Sequence, residues 1–209
     1  VLLDGVLELL PSWLELADGD SMAPRFVDRR DGGGWRLLTG GRGLLGATAE
    51  RREALGALLD HRADRIWWPE VYLPVREVAL EPFLLAERVL LEAGEPRFFL
   101  LNIGEEASRE AEARGARLPT EAEWEFAWHQ LRGVPGWLVG EHELCADGWT
   151  PSMAGLGEDG ASVPGPPSVI RRASGDPGDL EHVLPARLPL ASVRLACVRL
   201  ALDVPDVEA

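Results

Sequence analysis

Lysine is missing from this chain: all 21 basic side chains are arginine, set against 35 acidic ones in 209 residues. The net charge of −14 argues against a nucleic-acid partner, because binding a phosphate backbone needs a cationic surface that displaces counterions. The pairs Arg29-Arg30, Arg51-Arg52 and Arg171-Arg172 read as solvated surface pairs, and the lysine gap reads as coding bias. Cysteine is nearly absent too. Cys145 and Cys197 are too few and too far apart for a disulfide framework, so a reducing cytoplasm is the simplest home. No uninterrupted apolar run approaches the roughly 20 residues of a membrane span. Residues 1–16 carry Asp4, Glu8 and Glu15 and lack a basic start, so they read as neither signal peptide nor anchor. Also missing are a Walker loop, a dinucleotide fingerprint and a G-x-S-x-G elbow. His61, His129, His142 and His182 have no H-x-x-x-H or E-x-x-H partner spacing.

What is present is 46% hydrophobic residues, enough for one domain with a substantial core. Val6 to Leu16 alternates apolar and acidic residues around Pro11 and reads as strand, turn, strand. Gly40-Gly41-Arg42-Gly43 reads as a tight turn between strands. Ala47 to Arg65 has helical periodicity with Thr48 as cap, Val71 to Leu80 reads as a strand, and Asn102 to Gly115 as a helix closed by its glycine. Residues 150 to 168, rich in Gly, Pro and Ser, predict a long surface loop. A last strand around Ser192 to Leu200 places Val193, Leu195 and Cys197 on one face. Helices and short strands in this order, without a βαβ rhythm, imply an α+β fold.

The densest local signal is Arg117-Leu118-Pro119-Thr120-Glu121-Ala122-Glu123-Trp124-Glu125-Phe126-Ala127-Trp128. Thr120 and Glu123 stand at capping-box spacing, so a helix begins at Glu121. Pro119 disfavours helix at Leu118, and three glutamates lie near the positive end of the helix dipole. Trp124, Ala127, Trp128 and Leu131 recur at three and four, which sends both indoles into a core. Glu123 and Glu125 read as cap and solvated face.

The same run resembles the RLPTEAEWEYA signature of the formylglycine-generating enzymes, also called sulfatase-modifying factors. Gly43-Leu44-Leu45-Gly46, Pro74 to Phe83, Asn102 to Gly115, Glu143-Leu144-Cys145-Ala146-Asp147, Arg171 to Ser174 and Cys197-Val198-Arg199 are similar to other family segments in the expected order. The resemblance implies a C-type-lectin-like α+β domain over residues 35–203, with 1–34 as a strand/turn extension packed on it and 204–209 as a tail. Family members oxidise a peptide cysteine with copper held by two cysteines near the C-terminal strand. Here no cysteine lies between Ser174 and Ala196, so copper is not expected and an enzyme of the family's kind is disfavoured. The family's calcium asparagine is replaced by Gly140 while Glu143 remains, which leaves calcium open. An iron-using branch draws its histidines from a separate domain, absent here.

Three functions therefore compete. The first is a non-catalytic module binding a protein or peptide, inside a larger assembly, with Trp137, Trp149 and Arg171 as its anchors. The second is a divergent metal-dependent oxidase of a peptide thiol or small sulfur compound, its ligands drawn from Glu143, His142, Asp147, Cys145 and Cys197. A purely structural subunit docking through residues 1–34 is the third option.

Overall fold

The computed structural model describes residues 2–19, 22–46, 75–92, 95–96, 98–100, 104–131, 134, 137, 142–148, 160–167, 169–172, 186–189 and 195–205. Within them the chain forms a mixed α+β fold dominated by strands. Helix α1 (Leu2–Leu9) leads into β1 (Leu14–Asp18), β2 (Arg25–Asp28) and β3 (Gly34–Leu38). Next come β4 (Gly41–Leu45), β5 (Arg76–Leu80), β6 (Phe83–Val89), β7 (Leu91–Glu92), β8 (Glu95–Pro96) and β9 (Phe98–Leu100). Helices α2 (Gly104–Ala113) and α3 (Glu121–Leu131) follow. The chain then adds β10 (Glu143–Cys145), β11 (Val169–Arg172), β12 (Ala186–Pro189) and β13 (Leu195–Asp203).

Among the described residues nine strands join one sheet in the order β1-β2-β3-β6-β13-β10-β11-β12, with β9 also on β13. The β10–β13 pair is parallel and the other pairings are antiparallel. Strands β3 and β6 lie at its centre and read as near-continuous apolar runs because both their faces are covered. On one face Trp35, Leu37, Leu84, Val198, Leu200 and Leu202 meet Val6 of α1 and Ala107 and Ala111 of α2. On the other, Leu38, Phe83, Leu85 and Ala201 meet Ala122, Phe126, Ala127 and Leu131 of α3 and the β4–β5 ribbon. Period-two alternation thus sorts β13 between two cores.

Helix α3 starts where its capping box dictates. The Glu123 N–H donates to Thr120 Oγ1 at 3.1 Å, and the Thr120 N–H donates to Glu123 Oε2 at 2.7 Å. Gly115, at φ +71°, ends α2 in a Schellman turn: its N–H donates to Glu112 O and that of Ala116 to Ala111 O. Gly40 turns β3 into β4 with φ +67°, and a Cβ there would stand 2.2 Å from Leu80 O.

Several sequence expectations need correction. The first half of Val6 to Leu16 is helix, not strand. Val6 and Leu10 are spaced by four, which suits a period of two and a helical face equally, and the Leu10 N–H donates to Val6 O at 3.2 Å. Glu125 is not solvated: it is fully buried and accepts the Gly46 N–H at 2.9 Å. The last strand runs on to Asp203, past the expected Leu200. Residues 160–167 have neither helix nor strand, in keeping with a loop. The expected helix over 47–65, the Asn102 cap and Val193 lie outside the described residues. No helix among the described residues is long and apolar enough to cross a membrane.

Candidate functional site

The parallel pairing of β10 with β13 sets Glu143 opposite Cys197, so Glu143, Cys145, Cys197 and Arg199 share one face of the sheet. Helix α3 covers that face with Trp124 and Trp128, both at most 1% exposed. Arg199 is fully buried and grips Glu143 in a bidentate pair, Nε to Oε2 at 2.6 Å and Nη2 to Oε1 at 2.7 Å. Its Nη1 donates to Ala86 O at 2.8 Å, and its guanidinium lies 4.2 Å from the Trp137 ring centroid. The Trp124 indole N–H donates to Glu143 Oε2 at 2.8 Å. Both Glu143 oxygens are therefore taken by a cation and an indole. Such a carboxylate is a counter-ion, and the adjoining guanidinium repels a second cation, so Glu143 does not fit a calcium ligand.

The thiols lie in the same buried layer. Cys145 and Cys197 are free cysteines with no exposed surface, and Cys145 packs among Trp124, Trp128 and Val169. His142 is half-buried and supplies a backbone carbonyl to the Cys197 N–H at 2.7 Å. Among the described residues, no group of three or more His, Cys, Asp or Glu side chains is placed to hold a metal ion.

Asp147 sits one turn of chain away with a different duty. Its carboxylate accepts the Glu121 N–H at 2.5 Å and the Val163 N–H at 3.0 Å, tying the first residue of α3 to the 160–167 segment. Burial and the nearby Glu121 carboxylate push Asp147 up to about 6, against the pull of those two amides and of Arg76.

The binding anchors expected from sequence fare unevenly. Trp137 is 7% exposed beneath Arg199, which makes it part of the core and not a surface contact. Arg171 lies on β11 opposite Glu143 in the ladder. Trp149 lies outside the described residues. Sequence reasoning passed over Arg199, although a lone charge inside the apolar run Leu195 to Leu202 was the available sign of a buried ion pair. It also missed the clamp on the signature. Arg117 pairs with Glu123 at 2.6 Å and with Asp203 at 2.6 Å, and these hydrogen bonds outweigh its burial and raise its pKa. A third network joins Glu87 to Arg25 at 2.9 Å and to Arg36 at 2.7 Å.

No protein-family model and no curated protein matches the chain. Solved structures do. PvdO from Pseudomonas aeruginosa superposes with a TM-score of 0.54 at 13% identity, over 85% of this chain and 97% of that one. The two share a fold.

Proposed function

We propose that this chain is a formylglycine-generating-enzyme-like domain that has left the family's oxidation behind and binds a protein or peptide partner, as a cytoplasmic subunit of a larger assembly. The observation that carries the reading is the Glu143–Arg199 pair under α3, with Cys145 and Cys197 sealed beside it. A metal-dependent thiol oxidase needs thiolates or carboxylates that reach substrate, whereas here the Glu143 carboxylate is spent on Arg199 and Trp124 and both thiols are buried. The signature that resembles the family's is likewise spent on structure: its arginine, threonine and second glutamate cap α3 and clamp it to the end of β13.

Two measurements test this reading. Incubation with copper and a cysteine-containing peptide should oxidise the peptide thiol no faster than copper does without the protein, and excess turnover that is lost in Cys145→Ala or Cys197→Ala would overturn the non-catalytic part. In a pull-down, Trp149→Ala with Arg171→Ala should release the retained partner. Undiminished retention would remove that surface from consideration.

A further inference from the structure

On the sheet face away from α3, between Arg114 at the end of α2 and the turn from β2 to β3, lies a cleft of about 240 Å³. Its floor is apolar: Trp35 of β3, Ala86 of β6, Leu90 and Leu200 of β13. These side chains continue the row that α1 and α2 cover elsewhere. The cleft has a local cause in the ladder. Arg199 pairs with Val89 and Ala201 with Leu85, so Ala86, Glu87 and Arg88 stand against Leu200 alone. Such a bulge bends its strand and re-aims a side chain, and here Arg88 is delivered exposed to the rim.

The charges around this cleft are not equivalent. Asp28 is held by Arg30, Nη2 to Oδ2 at 2.7 Å, and the Arg30 guanidinium in turn lies 3.6 Å from the centroid of the Trp13 ring. Burial alone would raise the Asp28 pKa, but hydrogen bonds from Arg30 prevail and lower it, which keeps the pair ionised. Asp31 accepts the Gly33 N–H at 2.8 Å and stands 3.9 Å from Arg114, which Glu110 also holds at 3.1 Å. Arg88 has no acidic partner among the described residues. In a chain of net charge −14, a cationic fork over an apolar floor, without a counter-ion among the described residues, runs against the overall charge.

We propose that this cleft is a binding site for a small amphipathic carboxylate, its apolar body against Trp35 and Leu200 and its carboxylate on Arg88. A guanidinium offers two parallel N–H donors to a carboxylate, and a lysine could not replace it in that geometry. The cleft shares no residue with the surface invoked for partner binding, and the proposal stands or falls independently of it.

The test uses phenylacetate as probe on the full chain, followed by NMR at the Trp35 indole and the Leu90 and Leu200 methyl groups. Expected are saturable shifts at those three residues, with acetate, which lacks the apolar body, and benzyl alcohol, which lacks the charge, each at least about tenfold weaker. Arg88 is exposed, so Arg88→Ala should melt at the wild-type temperature while binding at least about fivefold more weakly, with Arg88→Lys between the two. Absence of saturation, shifts confined to other regions, equal binding by benzyl alcohol, or undiminished binding by Arg88→Ala would each overturn the proposal.

Discussion

Arg199 is buried completely, and among the described residues the cost of taking its charge out of water is offset by two Glu143 oxygens, Ala86 O and the Trp137 face. Removing one partner leaves the other charge stranded. Glu143→Gln should therefore lower unfolding free energy by about 3–5 kcal/mol, while the pair Glu143→Leu with Arg199→Met should recover most of that loss, both read by denaturant titration. Asp147 predicts a pH dependence of definite sign. Because its native pKa is raised from 3.8 to about 6, the folded state holds the proton more tightly than the unfolded chain. Stability contributed by this group is thus present below about pH 4 and is lost as pH rises to about 6, by up to about 3 kcal/mol. Asp147→Asn should flatten that slope in denaturation curves taken across the window, and an unchanged slope would assign it to another group.

Among the elements, α3 shows how one sequence run serves several neighbours. Thr120 and Glu123 cap it, Asp147 takes its first amide, Arg117 ties its first turn to Asp203, and Glu125 holds Gly46. Thr120→Ala should cost about 1 kcal/mol in thermal or chemical melts. Trp124→Phe should cost more than its lost area, because Glu143 then keeps Arg199 but loses the indole donor at 2.8 Å. The start of α3 was legible from residues 117–123 alone, since a capping box acts within four residues. The burial of Glu121 and Glu125 was not legible there, because their covers come from residues distant in the chain, Asp147 and Gly46. The misreading of α1 has the same origin: a short apolar alternation does not choose its own period, and the sheet face above Val6 does.

For the whole molecule, residues 1–34 are woven into the main sheet. Strand β2 pairs with β3 through Phe26 opposite Trp35, across the boundary expected at residue 35, and Phe26 is 1% exposed. A chain beginning at Trp35 should consequently lose cooperative unfolding, seen as a broadened melt and dye binding to exposed apolar surface. A sharp transition in the truncated chain would instead mark residues 1–34 as a separable docking arm. The same interleaving explains why partner surfaces are hard to read in sequence. Trp137 has the composition of an anchor and the position of a core residue, whereas Arg88 has an ordinary local sequence and a bulge that presents it over a cleft.

By itself the sequence determined the α+β class, the start of α3, the glycine end of α2, the inward course of Trp124 and Trp128, and the want of a cysteine pair before the last strand. Each of these depends on spacing within a few residues or on the presence of an atom type. Only the tertiary structure decided that Glu143 is a counter-ion, that Trp137 is sealed under Arg199, and that Arg88 stands exposed at the rim of a cleft. These outcomes depend on the registers of β10, β6 and β13, which join residues dozens of positions apart through hydrogen bonds that no local pattern encodes.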